Sequence, residues 1–171
     1  MQITPSGGSG FGANQQSFLQ IGRDGSVNVS KLQARPHVTA GCGGFVDITS
    51  RAKRIVFSGY FTAGAELSIE NGKLKILREG KVKKLVDEVD HVTFSGTRAI
   101  ETGQKVLYVT ERCVLALTKN GLEITEVAPG IDIQRDLIGQ CSFPLAVSKD
   151  VKEMNGSLFR PENTGLSFGG Q

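Results

Sequence analysis

The clearest pattern in the chain is an alternation of apolar and polar residues over positions 65–77, interrupted by the dipeptide Asn71-Gly72. Leu67 and Ile69 alternate with polar residues before it, and the alternation resumes at 74–76 between lysines. Asn-Gly favours a type I′ turn because both of its positions need a positive φ. The pattern therefore predicts a hairpin in which Glu70 is a solvent-facing strand residue rather than a catalytic glutamate.

Short apolar runs predict strands over most of the remaining chain. Residues 18–21 and 27–29 flank an Asp-Gly turn, and the run at 53–61 is typical of a buried strand. Residues 81–94, 105–110, 113–118 and 122–127 also read as extended. Helices are expected at 47–52 with Asp47 as N-cap, after Asp132, and as one turn at 151–154. These elements predict an α/β fold, with a strand-rich open sheet and few helices.

The length of 171 residues fits a single domain. Residues 1–16 are rich in glycine, serine, asparagine and glutamine, which predicts a flexible lead-in. The polar stretch 156–171 predicts a flexible tail, so the folded domain is expected over 17–155.

Composition argues against several functional classes. The 3 cysteines do not form a CxxC pair, and an odd number indicates a reducing compartment, so we expect a cytoplasmic protein. Cysteines and histidines have no zinc-ligand spacing, which predicts that no metal is bound. No apolar run of about 18 residues exists, so no membrane span is expected. A net charge of +3 is too small to imply a nucleic-acid partner, and none is expected. The basic stretch at 51–85 suits a phosphate-bearing ligand or partner, although solvated faces of hairpin strands explain the same charges and are the preferred interpretation.

Three glycines lie within the tetrapeptide Gly41, Cys42, Gly43 and Gly44. Because glycine lacks a Cβ, successive N–H groups of such a loop can point into one concavity and bind a developing negative charge. A tight turn that requires a positive φ explains the same composition without any ligand.

Cys42 is a weaker candidate for a nucleophile. His37 and His91 are the available bases, and no Cys-His signature surrounds them. A small residue tolerated within the loop is the preferred interpretation.

The dipeptide Glu111-Arg112 lies between two apolar runs. It is a functional charge pair, or else a pair that caps a strand bend or meets solvent. An exposed pair of this kind contributes only about 0–1 kcal/mol.

Several linked motifs resemble the family I CoA-transferases, and the acetate/propionate and 3-oxoacid group in particular. They follow one another in order between about residues 18 and 154: GCGGFVDI at 41–48, AKRIVF at 52–57, FTAG at 61–64, EGKVKK at 79–84, VTFSG at 92–96, VLYVTER at 106–112 and EVAPGID at 126–132. The resemblance implies the C-terminal portion of the CoA-transferase fold.

The resemblance also implies a chemistry, in which CoA moves between an acyl-CoA and a short-chain carboxylate through a glutamyl-CoA thioester. Gly43 and Gly44 correspond to the loop whose amides contact the acyl or thioester group, and Gly41 and Cys42 shape that loop. Phe61, Thr62, Ala63 and Gly64 are expected to contribute to the CoA-binding wall. Coenzyme A is then a substrate, and no permanently bound cofactor is expected.

The chain departs from the family pattern in one important respect. The family's nucleophilic glutamate lies upstream of the glycine loop, whereas the forty residues before Gly41 contain no glutamate. We therefore expect no catalytic residue in this chain and no turnover by it alone. The expected partners are the missing N-terminal portion of the enzyme, or a partner subunit, and a second copy of the chain. The alternative is a non-catalytic remnant that binds CoA or oligomerises.

Overall fold

The computed structural model describes residues 14–33, 35–39 and 43–160. Its regular elements are, in chain order, β1 (Asn14–Ser17), β2 (Gln20–Gly22), β3 (Val27–Asn28), β4 (Lys31–Leu32), β5 (Arg35–Thr39), α1 (Gly43–Arg51), β6 (Arg54–Ser58), β7 (Thr62–Ala63), β8 (Glu66–Glu70), β9 (Lys73–Arg78), β10 (Val82–Lys83), β11 (Leu85–Val86), α2 (Gly96–Glu101), β12 (Lys105–Val109), β13 (Cys113–Thr118), β14 (Gly121–Val127) and β15 (Ala146–Glu153). A π-helical turn (Ile133–Leu137) and two 3₁₀ turns (Ile138–Gln140 and Gly156–Phe159) complete the described part.

A six-stranded sheet organises the fold, with the strand order β1-β6-β12-β13-β14-β15. β13 runs antiparallel to both of its neighbours, and the other adjacent pairs are parallel. The carboxyl ends of β1, β6, β12, β14 and β15 therefore share one edge of the sheet, which we call the carboxyl edge. Ligands of open α/β sheets commonly bind at such an edge.

Aromatic side chains form the centre of the core between the sheet and α1. The ring of Phe57 lies 5.5 Å from that of Tyr108, 5.1 Å from that of Phe94 and 6.0 Å from that of Phe45. Phe45 and Thr49 are four residues apart on α1, and both are buried. This contact explains why α1 starts at Gly43, so the predicted start at Asp47 is wrong: burial of Phe45 outweighs the low helix propensity of two glycines.

The predicted hairpin over 65–77 is confirmed as β8 and β9, with Asn71 at φ 53° and Gly72 at φ 74°. Glu70 is exposed, as expected. The strands predicted at 105–110, 113–118 and 122–127 are β12, β13 and β14, and the run at 53–61 contains β6. The fold is thus the strand-rich α/β arrangement that the pattern predicted.

Three predicted segments differ from the structure. Residues 14–16, assigned to a flexible lead-in, belong to β1 and pair in parallel with β6. The turn predicted at 151–154 is instead the end of β15, because backbone pairing with β14 decides the conformation of this polar segment. The start of the predicted flexible tail forms a 3₁₀ turn, in which Phe159 is buried. Residues 1–13 and 161–171 lie outside the described residues.

Helix α2 has no counterpart among the predicted elements. Its N-cap is Ser95, whose hydroxyl accepts a hydrogen bond of 3.3 Å from the Arg98 amide. Gly96, its first residue, approaches the backbone of Asp24 so closely that a Cβ would overlap the Asp24 carbonyl oxygen. The helix after Asp132 is confirmed in place, but as a π-helical turn followed by a 3₁₀ turn.

Candidate functional site

The N-terminus of α1 lies at the carboxyl edge of the sheet. Only Ala52 and Lys53 separate the end of α1 from the start of β6, so the two elements run in opposite directions. The contact between Phe45 in the first turn and Phe57 near the end of β6 confirms this direction. Gly43 and Gly44 are therefore close to the residues that follow β6.

Neither Gly43 nor Gly44 is required to be glycine by the described part of the chain. Neither has a positive φ, and a Cβ at either position would meet no heavy atom within 4 Å. Gly96, by contrast, is explained by contact with Asp24, and Gly64 by its φ of 82°. The first-turn N–H groups of a helix have no intrahelical carbonyl partner and carry partial positive charge. Two open glycines at this position leave those amides accessible to an approaching group.

The other predicted site residues fall into three groups. Gly41 and Cys42 lie outside the described residues. Phe61 and Thr62 are described and buried, at 0% and 1% exposure, so their side chains lie in the interior. Ala63 is half-buried and Gly64 is exposed, which leaves only these two at the surface.

Sequence reasoning did not anticipate the buried ion network around Arg112. The side chain of Arg112 is 0% exposed, and its guanidinium donates to both carboxylate oxygens of Glu79, at 2.8 Å from Nη1 to Oε2 and 2.7 Å from Nη2 to Oε1. It also donates to Glu111 Oε1 at 3.0 Å and to the carbonyl oxygen of Asp136 at 3.1 Å. The interpretation of Glu111-Arg112 as a solvent-exposed pair is therefore wrong, whereas its expected position at a strand bend is observed between β12 and β13.

This network reaches the predicted wall segment directly. Arg112 Nη2 donates to Thr62 Oγ1 at 3.0 Å, and its guanidinium carbon lies 5.2 Å from the centre of the Phe61 ring. Glu111 Oε2 accepts a hydrogen bond of 2.8 Å from the backbone amide of Phe61. Three contacts to residues 61–62 thus come from two charged side chains, Arg112 and Glu111.

The turn between β12 and β13 places Arg112 at this point. The Thr110 amide donates to the Cys113 carbonyl at 2.9 Å. The Thr110 hydroxyl accepts from the amides of Arg112 at 3.2 Å and Cys113 at 3.0 Å. The local sequence would look the same in a tight hairpin that lacks this network. Only the three-dimensional positions of Glu79, Glu111 and Arg112 reveal it.

Two titratable groups show the effect of this environment. Burial alone would raise the pKa of Glu79, but hydrogen bonds from Arg112, Thr62 and the Gly80 amide outweigh it and hold that pKa at about 2. Burial lowers the pKa of Lys84, and the charge of Glu111 opposes that shift. Lys84 Nζ donates to the Phe18 carbonyl at 3.3 Å, directly after β1 at the carboxyl edge.

The described thiols and histidine do not form a nucleophilic or metal site. Burial raises the pKa of both Cys113 and Cys141 to about 12, which disfavours the thiolate. His91 Nδ1 is hydrogen-bonded to the buried Ser30 hydroxyl at 2.8 Å. Among residues 14–33, 35–39 and 43–160, no group of three or more potential ligands could hold a metal ion.

Within those same ranges, no helix has the length and apolar character needed to cross a membrane. No protein-family model matches the chain.

Curated proteins do match. The chain is 44% identical over 161 residues to a caffeate CoA-transferase of Acetobacterium woodii, which covers 93% of this chain and 31% of that protein. It is 40% identical over 153 residues to the acetate CoA-transferase YdiF of Escherichia coli K12, which covers 89% of this chain and 28% of that protein. The chain therefore spans about a third or less of the length of these relatives.

Solved structures support the same relationship. A thioester complex with CoA of the acyl-CoA transferase YdiF from Escherichia coli O157:H7 superposes with a TM-score of 0.84 at 38% identity, over 90% of this chain and 30% of that chain. Glutaconate coenzyme A-transferase from Acidaminococcus fermentans shares the fold, with a TM-score of 0.59 at 15% identity over 83% of this chain and 52% of that chain. The chain is thus related to the family I CoA-transferases, and it fits a C-terminal part of such a protein.

Proposed function

We propose that the backbone amides of Gly43 and Gly44 form the oxyanion-binding wall of a CoA-transferase site, while another part of the polypeptide supplies the nucleophilic glutamate. The observation that carries the proposal is the pair Gly43 and Gly44. Nothing in the described chain requires glycine there, and the open space beside both glycines suits the close approach of a group from outside. An acyl thioester bound at the carboxyl edge is such a group.

The proposed reaction proceeds by covalent catalysis. A glutamate carboxylate attacks the thioester carbonyl carbon of an acyl-CoA, the carbon–sulfur bond breaks, and an acyl-glutamyl anhydride and a CoA thiolate result. The thiolate then attacks the glutamyl carbonyl and releases the first carboxylate. A second carboxylate reverses these steps and leaves as its CoA thioester. Each addition places negative charge on a carbonyl oxygen, which the Gly43 and Gly44 amides would stabilise by about 2.7–4 kcal/mol per donor.

The substrates are proposed from the chemistry named for the relatives. These are a caffeate and an acetate CoA-transferase, so a carboxylic acid and its CoA thioester are the substrate class. Coenzyme A enters and leaves as a substrate. Because the glutamate is supplied from elsewhere, we expect the chain alone to give no turnover. Its free thiols suit the reducing cytoplasm, where we place it.

A matched pair of variants tests this function. The chain is fused to the N-terminal portion of the acetate CoA-transferase YdiF, and the product is called the combined protein. Transfer of CoA from acetyl-CoA to propionate is then measured. Gly44→Val should abolish transfer because its side chain fills the space that the thioester needs. Gly156→Val is the control, since Gly156 also opens a short helix, lacks a positive φ and has no atom within 4 Å of a Cβ.

Two outcomes would overturn the proposal. One is unchanged transfer in Gly44→Val. The other is the absence of both transfer and a covalent CoA adduct in the combined wild-type protein, as read by intact mass. In the second case, binding of CoA measured by calorimetry would favour the alternative, because a non-catalytic remnant binds CoA without turnover.

Exposed apolar side chains support the expectation that another part of the polypeptide or a second copy contacts this chain. Val46 and Ile48 on α1 are 45% and 40% exposed, and Val92 on the facing loop is 55% exposed. Val46 and Val92 line one open groove between α1 and α2. We expect the isolated chain to self-associate through such surface, and a monomeric elution in size-exclusion chromatography would contradict this.

A further inference from the structure

The fully buried guanidinium of Arg112 is not explained by stability alone. Replacing a buried ion pair with apolar groups of similar volume is often neutral or stabilising, so a buried arginine among carboxylates is weak evidence for a stabilising role. The guanidinium contacts with Glu79, Thr62 and the Asp136 carbonyl instead connect segments that are distant in sequence. This points to a role in geometry.

Arg112 joins three segments at the carboxyl edge. The first is β7 and the residue before it, reached through Thr62 Oγ1 and the Phe61 ring. The second is the segment after β9, reached through the two-oxygen pairing with Glu79. The third is the π-helical turn, reached through the carbonyl of Asp136. A single planar group therefore sets the relative positions of three chain segments.

The approach of the first two segments leaves little room for adjustment. A Cβ at Gly80 would lie within 2.7 Å of the Ala63 carbonyl oxygen, so Gly80 permits the contact by lacking one. The Gly80 amide donates to Glu79 Oε1 at 2.8 Å, and Thr62 Oγ1 also contacts that oxygen. The position of Glu79 relative to β7 is thus fixed by bonds from both sides.

The amide of Phe61 is the point where the network acts on the backbone. One carboxylate oxygen of Glu111 accepts a hydrogen bond from Arg112 Nε, and the other accepts one from the Phe61 amide. The next surface residues are Ala63 and Gly64, which are the part of the predicted wall that remains accessible.

We propose that Arg112 is a positioning residue of the CoA-transferase site, which acts through Glu111 and Glu79 to fix the backbone of residues 61–64 at the carboxyl edge. This inference rests on the proposed function. It requires the planar fork of arginine and not merely a positive charge, because lysine cannot donate to Glu79, Glu111 and Thr62 in one plane.

The test compares Arg112→Lys with Arg135→Lys. Arg135 is the matched control because it pairs with Asp136 on the same π-helical turn but its side chain is 73% exposed. Exchange of the Phe61 amide is followed by NMR in the full chain. Arg112→Lys should accelerate it about ten-fold or more, since the bond to Glu111 is charge-assisted. Arg135→Lys should leave it unchanged.

Kinetics separate positioning from a loss of folding. In the combined protein, Arg112→Lys should lower kcat by about 10- to 100-fold, with little change in KM for acyl-CoA. Arg135→Lys should change neither constant. An Arg112→Lys variant with wild-type amide exchange at Phe61 overturns the proposal, whatever its kcat.

If Arg112→Lys does not fold, Glu111→Gln decides. Glutamine keeps the size of the side chain but replaces one carboxylate oxygen with an NH2 donor and removes the charge, so it cannot bind Arg112 and the Phe61 amide as Glu111 does. Faster Phe61 exchange in this variant supports the proposal and unchanged exchange overturns it. If the combined wild-type protein gives no transfer, the proposed function fails, but the exchange comparison still tests the positioning role.

Discussion

Arg112 and Glu79, 33 positions apart in sequence, form a bidentate salt bridge with nitrogen–oxygen distances of 2.8 Å and 2.7 Å. The guanidinium is fully buried, whereas the Glu79 side chain is 31% exposed. The pair therefore sits where the interior meets solvent, and protons can reach its carboxylate.

This pairing predicts a loss of stability in acid. The pKa of Glu79 in the folded chain is about 2, below its ordinary value of 4.5, so the unfolded state takes up the proton first as pH falls. The contribution of Glu79 to the free energy of unfolding is complete above pH 4.5 and disappears as pH approaches 2. Urea unfolding at pH 5, 4 and 3 should show this fall, and it should be shallower in Glu79→Gln.

At pH 7, Glu79→Gln should lower the free energy of unfolding by about 1–3 kcal/mol, because it leaves the buried guanidinium without its full counter-charge. Asp150→Asn, an exposed change on β15, serves as the control. An equally steep acid dependence in wild type and Glu79→Gln would contradict the assigned pKa.

Gly44→Ala should improve stability while it impairs the proposed activity. Alanine is favoured over glycine in a helix by about 0.5–1 kcal/mol, and nothing in the described chain contacts a Cβ at this position. Thermal unfolding should therefore shift upward, while CoA transfer in the combined protein falls. A gain in both properties would show that no ligand approaches this glycine.

Gly96→Ala should have the opposite effect on stability. Its Cβ would overlap the carbonyl oxygen of Asp24, which is backbone and cannot rotate away. We expect a loss of about 1–3 kcal/mol or more in the free energy of unfolding, despite the better helix propensity of alanine. Gly156→Ala, with open space around its Cβ, should be close to neutral in the same urea titration.

Cys113 and Cys141 should resist alkylation in the native chain. Burial raises the pKa of each thiol to about 12, so the reactive thiolate is scarce at pH 8. Peptide mapping after iodoacetamide treatment should find both unmodified in native protein and both modified in urea. Rapid native labelling of Cys113, which is 0% exposed, would mean that the β12–β13 region opens readily.

Local patterns in the sequence were sufficient for most of the strands. Asn71-Gly72 fixed its hairpin because the required φ values belong to those two residues. β15 was not predicted, because its charged, exposed residues adopt a strand through pairing with β14 and have little preference of their own. Helix α2 was missed for a related reason: it spans only six residues and depends on the close approach of Gly96 to Asp24.

The candidate site divides in the same way. Gly43 and Gly44 could be selected from the glycine-rich motif, and the motifs also pointed to the CoA-transferases. The network of Arg112 could not be predicted, since Glu79 and Thr62 meet it only after β6, β7 and β12 have assembled. A charged dipeptide in sequence gives no sign of whether it is buried, which is why the burial of Glu111-Arg112 was not predicted.

The short connection between β12 and β13 has a consequence for motion. Residues 110–112 join two central strands, and a backbone hydrogen bond from Thr110 to Cys113 closes the turn, so we expect this backbone to open only with the middle of the sheet. Slow, global exchange is therefore expected there, whereas the first turn of α1 can fray without disturbing the sheet. The carboxyl edge would then be rigid at the turn between β12 and β13 and more flexible at the first turn of α1.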